Sequence, residues 1–233
     1  MEIVVRRSED RGIFDHGWLR TCHSFSFADY QDPRHMGYKT LRVINEDQVQ
    51  PGQGFPSHSH RNMEIVTVVV SGQLEHRDSM GNTSIIKPGE IQRMTAGSGV
   101  THSEYNASRS EWVHLLQIWI LPNRQGLKPS YEQKHFDPAG RQDRWRLVCS
   151  PDGEQGSVIV HQDAWIYETE LAARGSLELT LKPGRGQWLQ MISGEADLDG
   201  QRLAAGDGAA IGEAGRRKLK ALQTTRCLLF DLA

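Results

Sequence analysis

The sequence predicts an all-β chain made of two related halves. Apolar residues recur at no helical interval. They fall instead in short runs rich in Val and Ile, bounded by Gly, Pro, Asn or Asp, which is the rhythm of many short strands in a sandwich or barrel. One such stretch is also echoed later in the chain.

In chain order, strands are expected over residues 41–49 and 64–70, the second an almost unbroken apolar run. Residues 73–78 and 83–87 flank the turn Ser79-Met80-Gly81-Asn82 and form a hairpin signal. Strands at 91–95, 100–105 and 112–121 follow. Residues 121–130, with Pro122, Gly126 and Pro129, read as a crossover, and the polar stretch 137–144 as a hinge. The expected halves are therefore 1–135 and 136–233.

The echo pairs Val70-Ser71-Gly72-Gln73-Leu74-Glu75 with Ile192-Ser193-Gly194-Glu195-Ala196-Asp197. A second pair, Pro88-Gly89-Glu90 and Ala205-Gly206-Asp207, follows in the same order. The copies differ where chemistry is concerned. A His-rich segment precedes the first, whereas Lys182-Pro183-Gly184-Arg185-Gly186-Gln187-Trp188 precedes the second. A metal site is thus expected in the first half and none in the second.

Composition narrows the function classes. With 27 basic and 29 acidic residues the net charge is −2, so no global field draws in nucleic acid or anionic lipid. The short run Arg216, Arg217, Lys218, Lys220 reads as a solvated strand edge. The mixed charges of Glu2, Arg6, Arg7, Glu9 and Asp10 do not suit a signal or transit peptide. No apolar run approaches the roughly 18 residues of a membrane span. Cys22, Cys149 and Cys227 are odd in number and far apart, which argues for a reducing compartment and a cytoplasmic location.

Two segments carry potential chemistry. In Pro56-Ser57-His58-Ser59-His60-Arg61-Asn62-Met63-Glu64 the two histidines are two apart, so on a strand they share a face. Glu64 shares it too if the strand runs on without a bulge. In Gly97-Ser98-Gly99-Val100-Thr101-His102-Ser103-Glu104, His102 and Glu104 again share a face. Three imidazoles and a carboxylate converging in a barrel suit a divalent first-row ion and leave positions open for substrate or oxygen. Chance alone gives roughly 0.4 His-x-His pairs in a chain with 10 His, so on pattern the four residues read equally well as polar side chains of strand faces. His76 with Asp78, and His135 with Asp137, are taken as surface pairs, and His114 as a satisfied core histidine. Between the two glutamates, strand geometry favours Glu104. It lies two residues from His102, whereas Glu64 is four beyond His60, about 13 Å along an extended strand.

Taken together these segments resemble the pirin family of the cupin superfamily. His58-x-His60-x-x-x-Glu64, preceded by Gly52, resembles the first cupin motif. The stretch from Pro88 to Glu104 resembles the pirin signature, as do His23-Ser24-Phe25-Ser26-Phe27 and Leu116-Gln117-Ile118-Trp119-Ile120. The resemblance covers residues 1–135 strongly and the rest weakly. It implies a bicupin, two β-barrel domains packed together, with a metal-binding N-terminal cupin and a degenerate C-terminal one. It implies metal ligands at His58, His60, His102 and Glu104, and leaves Glu64 to brace a ligand histidine from behind. Ser59 stands where many relatives have Pro. The ion implied is a single divalent transition metal, iron(II) first, with Zn, Ni, Mn, Co or Cu as alternatives.

The function the resemblance implies is a dioxygenase that opens the central ring of a flavonol such as quercetin with O2. Glu104 or Glu64 would accept the 3-hydroxyl proton, in an apolar pocket flanked by Phe55 and Met63. The resemblance also implies an alternative, a redox-responsive, metal-dependent module that regulates a partner protein. A storage or scaffold bicupin with an incidental metal is the third reading.

Overall fold

Strands form almost where the Val- and Ile-rich runs lie. The structure, a computed structural model, describes residues 3–233, so Glu2 of the charged N-terminal run lies outside the described residues. Among the described residues helical structure is limited to three short 3-10 turns, Ser8–Asp10, Pro138–Arg141 and Glu154–Gly156, and no helix is long and apolar enough to cross a membrane. The chain divides into two compact units. An N-terminal unit holds Gly12–Phe136 together with Val158–Gln162. A C-terminal unit holds Asp137–Ser157 and Asp163–Ala233 together with residues 3–11.

The first strand, β1 (Ile3–Arg6), therefore belongs to the C-terminal unit. The N-terminal unit follows with β2 (Gly12–Asp15), β3 (Leu19–His23), β4 (Leu41–Val49), β5 (Gly54–His60), β6 (Glu64–Ser71), β7 (Leu74–Asp78), β8 (Thr83–Ile86), β9 (Glu90–Thr95), β10 (Val100–Asn106), β11 (Val113–Ile120) and β12 (Ser130–His135). These make two antiparallel sheets, ordered β12-β9-β6-β11-β4-β3-β2 and β5-β10-β7-β8. Leu74 and Ile86 of the small sheet pack with Val49, Val69, Val113 and Leu115 of the large one. Each such side chain removed from water contributes about 1.5–3 kcal/mol. A second cluster, Ile65, Met94, Ala96 and Val100, lies toward the other end.

The remaining strands are β13 (Arg146–Ser150), β14 (Val158–Ile159), β15 (Ala164–Leu171), β16 (Ser176–Leu181), β17 (Gly186–Ser193), β18 (Glu195–Leu198), β19 (Gln201–Ala204), β20 (Gly208–Ile211), β21 (Gly215–Ala221) and β22 (Thr225–Leu232). In the C-terminal unit they run β1-β20-β17-β22-β15-β13 and β16-β21-β18-β19. This repeats the N-terminal plan from β12 to β3, with β1 beside β20 as β12 lies beside β9, and only β2 has no counterpart. The echo seen in the sequence sits at matching corners. Gly72 (φ 79°) follows β6 and Gly194 (φ 78°) follows β17, and both use the left-handed backbone that glycine adopts without a Cβ penalty.

Two expectations need correction. The edge strand β12 was not foreseen, because its residues are polar and only half-buried. The basic run is not wholly solvated either. Arg216, Lys218 and Lys220 are exposed, but Arg217 is buried and donates to the carbonyls of Arg216 and Glu213.

Candidate metal centre

Three imidazoles meet where β5 and β10 pair. His102 stands directly opposite His58, and Val100 opposite His60. Residues two apart on a strand share a face, which brings His60 beside that pair. Ring centroids are 4.8 Å apart for His58 and His60, 4.4 Å for His58 and His102, and 4.9 Å for His60 and His102. One ring nitrogen of each lies within 4.8 Å of the other two. The Pro56 carbonyl is 2.7 Å from His58 Nδ1 and can only accept, so Nδ1–H donates and Nε2 keeps its lone pair. Trp119 packs edge-on against His60, with centroids 4.9 Å apart. Ser59 is exposed and bonds the Thr101 hydroxyl at 2.7 Å.

Beyond His102 the register of β10 against β5 shifts, placing Glu104 opposite Phe55. Gln117 Nε2 donates to Glu104 Oε2 at 2.7 Å, and Thr67 Oγ1 donates to Gln117 Oε1 at 2.8 Å. That leaves Glu104 Oε1 and His102 Nε2 buried with no hydrogen-bond partner. A buried polar atom without a partner costs about 1–3 kcal/mol. Both atoms can be Lewis bases, and a cation satisfies both, so this donor set fits a divalent ion.

Burial sets the protonation of the group. It lowers the His60 pKa to about 4, and the neighbouring His58 adds to the effect. It lowers His102 to about 2, helped by the neighbouring imidazoles. Both rings are therefore neutral near pH 7, as metal ligands must be. Burial raises Glu104 to about 7, against the opposing hydrogen bond from Gln117.

Several residues depart from expectation. His76 is not a surface residue. It is fully buried, its Nδ1 is 3.4 Å from His102 Nδ1, and it forms a second close set with His102 and Glu104. The reason is topological: β7 pairs with β10 and turns His76 inward. Glu64 does not follow His60 on one continuous strand, because Asn62 adopts φ 52° between β5 and β6. Its Oε2 instead accepts from Thr95 Oγ1 at 3.1 Å and from the His161 backbone N–H at 3.1 Å, with His161 Nδ1 3.2 Å away. None of the three clustered imidazoles is among its partners. Met63 packs against Ile65, Met94, Ala96 and Val100 rather than lining the cleft. His135 is exposed as expected, and His114 is half-buried with Glu46 Oε1 at 2.9 Å.

A cleft of about 990 Å³, open mouth included, leads to His58, His60 and Glu104. Leu19, Phe27, Phe55 and Trp119 supply apolar wall, and Thr21, His23, Asn45, Asp47 and Gln117 the polar wall. Thr21 faces Asp47, and His23 faces Asn45, across the β3–β4 pairing. Burial pushes Asp47 up to about 6, against a hydrogen bond from Thr21. These residues were missed in the sequence. The available signal was Asn45-Glu46-Asp47-Gln48, four consecutive polar residues between the apolar pair Val43-Ile44 and Val49.

Comparison with known proteins places this geometry. Residues 4–120 match the family model Pirin, and residues 147–232 match the Quercetinase C-terminal cupin domain. The quercetin 2,3-dioxygenase of Escherichia coli (strain K12) is 44% identical over 231 residues, covering 99% of this chain and 98% of that protein. The crystal structure of YhhW from Escherichia coli superposes with a TM-score of 0.96 at 43% identity, covering 100% of this chain and 98% of that one. The crystal structure of bacterial pirin YhhW from Escherichia coli in complex with nickel(II) gives 0.95 at 42% identity, with 99% of each chain covered. Both halves match along their length, and the chain belongs to the pirin family of cupin proteins.

Proposed function

We propose that this chain is a metal-dependent dioxygenase that opens the central ring of flavonols such as quercetin with O2. The ion in this reading is a single divalent first-row metal held by His58, His60, His102 and Glu104. The observation that carries the reading is the cleft, which ends on His58, His60 and Glu104 and sets aromatic side chains against buried polar ones. Such a wall suits a flat aromatic molecule bearing hydroxyls. The quercetin 2,3-dioxygenase name of the Escherichia coli relative supports the same substrate class.

A bound divalent ion supplies Lewis acidity, which lowers the pKa of a hydroxyl brought to it. The protein's own residues do the rest. Phe27, Phe55 and Trp119 offer ring surfaces that hold the substrate and keep water from it. In this reading Glu104 takes the hydroxyl proton, its Oε1 lying without another partner beside the clustered imidazoles. Gln117 keeps that carboxyl oriented through Oε2. Asp47 lies on the same wall and can accept a hydrogen bond from a second phenolic hydroxyl. Glu64, engaged by Thr95 and His161, takes no part in proton transfer.

Iron follows from the family resemblance, and nickel is the ion named for the Escherichia coli neighbour. The C-terminal unit is proposed to hold no metal. By strand register, Leu179, Leu181, Arg217 and Leu219 stand there where His58, His60, His102 and Glu104 stand in the first unit. The three cysteines are thiols, which supports a reducing, cytoplasmic setting.

The test is metal analysis of untagged protein, followed by oxygen uptake with quercetin. One first-row ion per chain and quercetin-dependent oxygen consumption are expected, both lost in His58→Ala/His60→Ala. Metal-loaded protein that consumes no oxygen with quercetin would reject the activity and leave the metal centre standing. A stoichiometric ion surviving the double substitution would reject the placement of the site.

A further inference from the structure

We propose that His76 is a positioning residue: backed by Asp78, it holds His102 in the tautomer whose Nε2 lone pair is free for a metal ion. The inference rests on the metal-centre reading of His58, His60 and His102.

The placement follows from strand pairing. On the opposite edge of β10 from β5, β7 puts Asp78 directly across from His102 and His76 directly across from Glu104. The side chains of His76 and Asp78 are both wholly buried. Asp78 Oδ1 accepts from the backbone N–H groups of Met80 at 2.9 Å and Asn82 at 3.0 Å. Its Oδ2 accepts from Asn82 Nδ2 at 2.8 Å and lies 3.2 Å from His76 Nε2. A side chain that already accepts three N–H groups presents a carboxylate, so His76 Nε2–H must be the donor in the fourth contact.

Counting protons then fixes the next link. Neutral His76 carries its one proton on Nε2, and its Nδ1 is a lone pair. That lone pair faces His102 Nδ1 at 3.4 Å. Two lone pairs would repel, so His102 carries its proton on Nδ1 and donates it. His102 Nε2, buried and without any partner, is left as a lone pair. The opposite assignment puts a proton on His102 Nε2, which creates a buried N–H with nothing to accept it. Only the first arrangement leaves no ring N–H of this pair unpaired. His58 is set the same way, by the Pro56 carbonyl. Two of the three imidazoles thus present Nε2 because a fixed acceptor holds Nδ1–H.

The experiment uses the full chain with nickel(II) as the metal probe. Imidazole nitrogen NMR of the metal-free protein reads the His102 tautomer directly, and chelator competition gives nickel affinity for wild type, His76→Phe and His76→Asn. Wild-type His102 is expected to be protonated at Nδ1. His76→Phe, which removes the acceptor, should weaken nickel binding about 10–100-fold and populate the Nε2–H tautomer. His76→Asn, whose Oδ1 stands near the place of the ring Nδ1, should recover most of both. A wild-type His102 protonated at Nε2, or nickel affinity in His76→Phe within about threefold of wild type, overturns the proposal. Two bound ions with one lost in His76→Phe also overturns it, since His76 would then be a ligand itself. If wild type binds no nickel, the metal-centre reading fails, and the tautomer spectrum of the metal-free wild type still decides the role of His76. The same spectrum decides it should His76→Phe not fold.

Discussion

Glu104 and Glu64 are both buried glutamates with Oε2 hydrogen-bonded and Oε1 without a partner, but their neighbours differ. Glu104 has one oxygen held by Gln117 and the other open beside His102. Glu64 spends an oxygen on Thr95 and His161. Glu104→Ala is therefore expected to lower metal occupancy and abolish turnover. Glu64→Ala should keep the metal but lose about 1–3 kcal/mol of stability, because donors buried around it are left unpaired. Metal content and urea unfolding of the two variants decide this, and full occupancy in Glu104→Ala with loss in Glu64→Ala would reverse the assignment. That His58 and His60 share one face, and His102 and Glu104 another, was legible in the sequence, because parity along a strand is a local property, whereas the meeting of the two segments was implied only by the family resemblance. The burial of His76 was not. A His-x-Asp pair next to a tight turn looks the same on an outer hairpin and on one sandwiched against a ligand strand, and only the pairing of β7 with β10 separates the two.

At the scale of elements, the site depends on how closely β5 and β10 approach at the register shift after His102. Gly54 makes this possible. A Cβ there would lie 2.2 Å from the Glu104 carbonyl oxygen and 2.5 Å from Tyr105 Cα. Both obstacles are backbone, so neither can rotate away. Gly54→Ala is expected to push the strands apart, to cost about 1–3 kcal/mol, and to weaken metal binding because Glu104 and the His58 strand separate. Urea unfolding together with chelator competition checks this, and a variant within about 0.5 kcal/mol of wild type would mean that the crowding relaxes freely. The strands themselves were read well where they carry apolar residues. Residues 41–49 match β4, and the strands expected at 91–95 and 100–105 differ from β9 and β10 by a residue at one end. β12 escaped because an edge strand with half-buried polar residues lacks the apolar signal that sequence periodicity depends on.

Across the whole chain, one plan is used twice, and among the described residues the clustered imidazoles lie in the first copy. In the C-terminal unit Leu179, Leu181 and Leu219 are buried in a single apolar cluster with Leu189, Met191 and Leu229. Apolar packing there occupies the positions that His58, His60 and Glu104 occupy in the first unit, and buried Arg217 the position of His102. The weak internal echo made the duplication legible, but not the assignment of the N-terminal segment, which is joined to its unit by pairing between residues far apart in sequence. Ile3, Val4, Val5 and Arg6 of β1 pair with Ile211, Ala210, Ala209 and Gly208 of β20. Ile3 and Val5 pack against the apolar cluster of the C-terminal unit. Asp207 accepts from Arg7 Nη1 at 2.9 Å and from the Ser8 backbone N–H at 2.7 Å. Deleting the residues before Gly12 removes a paired strand, part of a core face and two partners of a buried carboxylate at once, leaving Asp207 the Ala204 backbone N–H. The result expected is faster amide exchange at β20, Gly208–Ile211, by about tenfold or more, which corresponds to ~1.4 kcal/mol of local stability. Exchange at β20 that stays at the wild-type rate after the deletion would show that β1 contributes nothing to holding that edge.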